Sequence, residues 1–211
     1  MGLGKTDIAY EYLKNKIVTW EIPPMSDISE EQLQKELDIS RTPIREAILR
    51  LEKDGFVYLY PRKGTIVAEV SRDLVEEIYQ VRLLLEPFIA EEASHSVSRS
   101  WLKDLRERLA NPPESLTDRE LRVYYINLDL ELHSTLLANC RNRFIQNEMR
   151  NVYNHNQRIR WKASNPRSGY DNSVQEHIEI IDALLSGDPD AIREATTRHI
   201  TESKKITYGA M

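Results

Sequence analysis

From Ser71 to the final residue, apolar side chains recur at helical spacing, and no alternating run of β-forming residues interrupts them. That pattern restricts most of the chain to a packed set of helices. Taken stripe by stripe, it predicts helices over 71–97, 99–110, 117–139, 141–163, 173–186 and 189–206, with Pro87 inside the first and expected to kink it. Asn165-Pro166-Arg167-Ser168-Gly169 reads as a loop, and Gly187-Asp188-Pro189 as a tight stop and restart.

The first 70 residues have a different texture. Ile8, Tyr12, Leu13 and Ile17 form a helical stripe that stops before Pro23-Pro24. Ser29 is placed to cap a short helix ending at Leu37, and a third helix opens around Ser40 to Pro43 and closes at Gly55. Phe56 to Tyr60 and Thr65 to Ala68 then read as two short β segments joined by Pro61-Arg62-Lys63-Gly64. The expected division is therefore residues 1–70 and residues 71–211.

Composition narrows the setting. Lys and Arg total 29 against 34 Asp and Glu, a formal charge of −5, which on average argues against a protein that coats nucleic acid. The average hides a local surplus: within 40–64, Arg41, Arg45, Arg50, Lys53, Arg62 and Lys63 face only Glu46, Glu52 and Asp54, a net of +3. The single Cys140 excludes an internal disulfide and favours a reduced, cytoplasmic compartment. No apolar run approaches the roughly 18 residues that a membrane span requires, so no membrane partner is expected. Gly2-Leu3-Gly4-Lys5-Thr6 matches only the tail of a phosphate-binding loop, and no strand precedes it.

The third helix has the parts of a DNA reader. Ile44, Ala47, Ile48 and Leu51 fall at i, i+3, i+4 and i+7 and account for its buried face. Arg41, Thr42 and Arg45 project beside that stripe, free to meet a ligand. Arginine can bond guanine O6 and N7 together, while hydroxyls and first-turn amides suit phosphates. The plainer reading, solvated charges on an amphipathic helix, is outweighed by the preceding short helix, the tight turn and the basic hairpin tip.

The run from Tyr12 to Val67, above all SRTPIREAILRLEKDGFV at 40–57 followed by PRKGTIV at 61–67, resembles the winged helix-turn-helix of the GntR superfamily of bacterial transcription regulators. That resemblance implies operator contacts from Ser40, Arg41, Thr42, Arg45, Arg50, Lys63 and Gly64. Within it, Trp20-Glu21-Ile22-Pro23-Pro24 stands where a glycine and a Pro-Gly are usual, Gln34 replaces a common alanine, and Asp38 occupies the place of the usual turn glycine. The implied fold class is mainly α: an N-terminal winged helix-turn-helix plus a C-terminal all-α helical bundle.

A second constellation lies in the helical region. Asp129 and His133, four residues apart, share the apolar face that carries Leu132 and Leu136. His177 sits among Val174, Ile181 and Leu184, and His199 among Ile192, Ala195 and Thr196. Buried carboxylates and imidazoles require partners. Each alone reads as a satisfied core residue, but the four together point to a divalent metal, with three nitrogens and one oxygen suiting Zn, Ni, Mn or Fe. His95, near a helix end, and His155, in the polar run Asn154-His155-Asn156-Gln157, read as solvated or pocket-edge residues.

The helical region resembles the FCD ligand-binding domain of the FadR-like subgroup, through Val81-Arg82-Leu83-Leu84-Leu85-Glu86-Pro87, Asp129-x3-His133, Asn142-Arg143-Phe144-Ile145, Glu176-His177 and His199. The resemblance implies a metal on Asp129, His133, His177 and His199 and a small carboxylate effector that completes its coordination. Arg82 can pair with such a carboxylate bidentately, or equally with Glu86 at i, i+4. Asn154 and Arg158 are further pocket candidates. The expected function is a homodimeric repressor on double-stranded operator DNA, its affinity set by metal and effector. The alternatives are a metal-dependent hydrolytic enzyme and a regulator whose bundle only dimerises.

Overall fold

A computed structural model of the chain describes residues 2, 4–62, 64–163 and 170–209. The element order is α1 (Lys5–Val18), β1 (Asp27–Ile28), α2 (Glu30–Leu37), α3 (Arg41–Lys53), β2 (Val57–Tyr60) and β3 (Gly64–Val67). There follow α4 (Arg72–Ser94), α5 (Arg99–Ala110), α6 (Asp118–Asn139), α7 (Arg143–Ala163), α8 (Tyr170–Ser186) and α9 (Pro189–Gly209). The loop expected at Asn165 to Gly169 lies outside the described residues. Among the described residues, no helix is long and apolar enough to cross a membrane.

Local chemistry accounts for the reading motif. The Ser29 hydroxyl accepts the Gln32 amide at 3.2 Å and caps α2, whose first turn carries Glu30 and Glu31 against the positive end of the helix dipole. Asp38 closes α2 in the left-handed region, φ +52°, and the Ile39 amide bonds back to the Gln34 carbonyl at 3.3 Å. Asp tolerates that conformation better than most residues, which explains why the tight turn forms without the usual glycine. Trp20 and Met25 are likewise left-handed, at φ +62° and +66°, so the loop after α1 keeps special geometry through non-glycine residues.

The hairpin pairs β2 with β3 antiparallel, Val57 opposite Val67 and Tyr60 opposite Gly64. β1 adds to the free edge of β3, Asp27 opposite Ile66, giving the order β1-β3-β2. That two-residue strand is too short to leave a periodic signal in the sequence.

The chain divides into two compact units, Met1–Leu74 with Asn154–Lys162, and Val75–Tyr153 with Ala163–Met211. In the first, Leu13 and Ile17 of α1 pack with Ile44, Ala47, Ile48 and Leu51 of α3 over Phe56. In the second, helices α4, α5, α6, α8 and α9 with the first part of α7 enclose a core that includes Ile89, Leu105, Leu132, Ile181 and Ile192. Helix α4 continues through Pro87. A complete capping box, Thr117 with Glu120, starts α6 and so sets where its later Asp129 and His133 fall. The expected boundary near residue 70 differs from this division in one respect: the second half of α7 belongs to the first unit. Helical periodicity reports the buried faces of a long helix but not which core each face enters.

Candidate functional site

In the first unit, Ser40, Arg41, Thr42 and Arg45 are exposed at the N-terminal end of α3. Ser40 is extended and its hydroxyl makes no cap bond. The guanidinium Nε atoms of Arg41 and Arg45 both donate to Glu30 of α2, each at 3.0 Å to Oε2. Burial alone would raise the Glu30 pKa, but the hydrogen bonds from the two arginines outweigh it and hold the carboxyl below its ordinary range. One carboxylate thus aligns the two arginines that could read a groove. Gly64, at φ +103°, has nothing within 4 Å of where a Cβ would stand, so the hairpin tip is open to a close approach.

Two of the expected DNA contacts need separate mention. Arg50 does not join this face. Its guanidinium lies 3.9 Å from the centre of the Tyr10 ring and bonds Asp7 at 3.2 Å. Nine residues after Arg41 it has turned about 900° along the helix, half a revolution from the reading side, and it serves the α1–α3 contact instead. Lys63 lies outside the described residues.

In the second unit, α6 brings Asp129 and His133, α8 brings His177 and α9 brings His199 to one buried point, where a ligand atom from each lies within 4.8 Å of the others. The imidazoles crowd one another, with ring centres 5.6 Å apart for His133 and His177, 5.4 Å for His133 and His199, and 4.4 Å for His177 and His199. His177 Nε2 stands 3.0 Å from Asp129 Oδ1. Burial, and then the neighbouring His177 and His133, hold the His199 pKa well below its ordinary value, so its ring is neutral, the form that binds a metal.

Two carboxylates back the rings. Glu86 Oε2 is 3.2 Å from His133 Nδ1, and Glu176 Oε2 is 2.9 Å from His199 Nδ1. Glu86 is itself paired with Arg82 at 2.5 Å, both side chains buried. Burial would raise the Glu86 carboxyl, but the Arg82 charge prevails and brings it down to about 2. His133 Nε2 is buried without a hydrogen-bond partner among the described residues, and Asp129 Oδ1, at 3.8 Å, is beyond bonding reach. Three imidazole nitrogens and one carboxylate, with one imine nitrogen so placed, fit a divalent metal.

The residues expected at an effector pocket divide between the units. Arg82 stands beside the cluster with its guanidinium engaged by Glu86, the second of the two roles open to it from sequence. Asn154 and Arg158 belong to the first unit. Arg158 is buried and donates to the Ala68 carbonyl, while its own carbonyl accepts the Trp20 indole N–H at 2.9 Å. His95 is exposed, as expected. His155 is a correction: expected as a solvated or pocket-edge residue, it is buried and stacked on Phe56. Glu86 and Glu176 were not foreseen as partners of His133 and His199, because those pairings cross between helices and leave no spacing in the sequence.

Comparison with known proteins decides the family. Residues 5–67 match the bacterial regulatory proteins of the gntR family, and residues 77–202 match the FCD domain. The chain belongs to the GntR family and carries an FCD domain. This GntR protein is 26% identical over 195 residues to the HTH-type transcriptional repressor RspR of Escherichia coli (strain K12), covering 92% of this chain and 84% of that one. Its fold is similar to that of E. coli McbR/YncC, with a TM-score of 0.80 at 18% identity over 99% of both chains. About two thirds of the chain is also similar in fold to the Zn2+-bound FCD domain of TM0439, with a TM-score of 0.54 at 17% identity over 67% of this chain and 96% of that one. Its relatives are transcriptional regulators rather than enzymes, so this GntR protein is a transcriptional regulator with a DNA-binding winged helix-turn-helix.

Proposed function

We propose that this GntR regulator is a homodimeric repressor whose affinity for double-stranded operator DNA is set by a divalent metal and a small carboxylate effector in the second unit. The observation that carries the reading is the convergence of Asp129, His133, His177 and His199 on one buried point. Those four residues would hold the ion, and the ion, when bound, supplies a positive centre for an effector carboxylate. Arg82 adds a fixed charge beside it. The names of RspR as a repressor and of the zinc-bound TM0439 domain support the two halves of the reading. Ser40, Arg41, Thr42 and Arg45 would contact the operator, with Lys63 and Gly64 at the wing.

Control requires that metal and effector bind one of two dimer states more tightly, since a ligand with equal affinity for both shifts nothing. The test is an equilibrium titration of DNA, selected by the protein from a random library, with metal-free chain, metal-loaded chain and loaded chain plus a panel of small carboxylates. The reading expects affinity to change on loading and again with one carboxylate, and H177A to be insensitive to both. DNA binding that is the same in every condition would favour a bundle that only dimerises.

A further inference from the structure

We propose that Glu86 and Glu176 are positioning residues of the metal centre, each accepting a hydrogen bond from the Nδ1–H of one histidine and so presenting Nε2 to the ion. The inference rests on the metal reading above. A neutral imidazole carries one N–H and one lone pair, and whichever nitrogen is protonated cannot bind a metal. A carboxylate accepts but does not donate, so a ring whose Nδ1 faces one must hold its proton there. His133 faces Glu86 at 3.2 Å and His199 faces Glu176 at 2.9 Å, through Nδ1 in both cases. The ionised Glu86 thus fixes His133 in this tautomer before any ion arrives, and Glu176, although burial pushes its carboxyl up to about 7, orients His199 the same way through its carboxylate form.

The two carboxylates are held differently. Glu86 lies one turn along α4 from Arg82, and that buried pair anchors it within the core. Its charge is largely balanced there, so it acts on His133 chiefly through orientation. Glu176 projects from α8, the helix that carries His177, and reaches across to His199 on α9. At about 100° per residue, Glu176 and the adjacent His177 cannot face the same way, so one helix supplies a ligand with one side chain and orients a ligand of its neighbour with the next. A change at Glu176 therefore alters His199 without removing any ligand.

The test uses full-length chain stripped of metal, with Zn2+ affinity measured by competition with a chelator at fixed pH and the visible spectrum of the Co2+ form recorded alongside. E176A is expected to bind Zn2+ roughly 10–100-fold more weakly than wild type and to shift the Co2+ bands. E176Q keeps an oxygen that accepts the Nδ1 proton and is expected to recover most of the lost affinity and the wild-type spectrum, a rescue that a merely structural role would not give. E86A is expected to weaken Zn2+ in the same direction as E176A. Because that change also removes the buried counter-charge of Arg82 and can unfold the chain, the Glu176 variants decide the matter. Wild-type affinity and spectrum in E176A, with H177A unable to bind, would overturn this inference and leave the metal centre standing. A wild-type chain that takes up no metal would overturn both.

Discussion

The His155 ring lies flat on the Phe56 ring, with centroids 4.2 Å apart and planes within 2° of parallel. Its Nε2–H donates to the Asp54 carbonyl at 2.8 Å, at the end of the helix that carries Arg41 and Arg45. Gly55, left-handed at φ +81°, passes so close that a Cβ there would meet the imidazole at 3.5 Å. The last part of α7 therefore completes the core of the first unit rather than lying on its surface.

Removing that ring should be felt as stability. H155A loses the stacked contact and a buried hydrogen bond, and should cost about 1–3 kcal/mol, read as a lower melting temperature. Burial holds the His155 pKa below its ordinary value, so the folded chain keeps the ring neutral where the unfolded chain takes up a proton. Stability from this site is accordingly constant above about pH 6.5 and falls as pH drops through that value, because the unfolded state binds the extra proton. H155F, which stacks but cannot titrate, should flatten that part of the stability curve. An equal slope in both proteins would show that His155 does not titrate on unfolding.

If Arg41 and Arg45 contact the operator as proposed, Glu30 competes with DNA for the arginines it aligns. For Arg41 and Arg45 to reach a groove they must release a carboxylate now 3.0 Å away, while that carboxylate repels phosphates. E30Q should tighten binding to nonspecific duplex several-fold at low salt, an effect that fades as salt rises. R45A should abolish selective binding while leaving the melt within about 0.5 kcal/mol of wild type, since the side chain is exposed. Fluorescence anisotropy on selected and scrambled duplexes checks both; undiminished selectivity in R45A would remove Arg45 from the reading face.

The Arg82–Glu86 pair should show the asymmetry of buried charges. Both side chains are almost fully enclosed, so R82M strands Glu86 in the core and should destabilise by about 3–5 kcal/mol. Replacing both residues with apolar ones of similar size should cost much less. Chemical denaturation of the single and double variants, both metal-free, measures the difference directly. A double variant as unstable as R82M would mean that packing, not charge, governs the position.

How much of this was legible in the sequence follows from how far each interaction reaches along the chain. The buried face of α3 lies within one helix, and Ile44, Ala47, Ile48 and Leu51 announced it. The four cluster residues each sit on an apolar stripe, so their burial could be read locally, although only tertiary packing brings α6, α8 and α9 to one point. What stayed hidden crosses between elements. Asn154-His155-Asn156-Gln157 looks polar and solvated, yet His155 and Arg158 are buried because α7 enters a second core. Arg50 looked like one more reading cation until its turn about the helix placed it on Tyr10. Glu176 stands beside His177 in the chain but serves His199, 23 residues on.

The central claim is that Asp129, His133, His177 and His199 act together as one metal centre. The most direct measurement is the metal content of protein purified without chelators, determined after denaturation for wild type and H177A side by side. The account predicts about one divalent ion per wild-type chain and essentially none in a folded H177A. Equal metal content in the two proteins, whether both loaded or both bare, would contradict it.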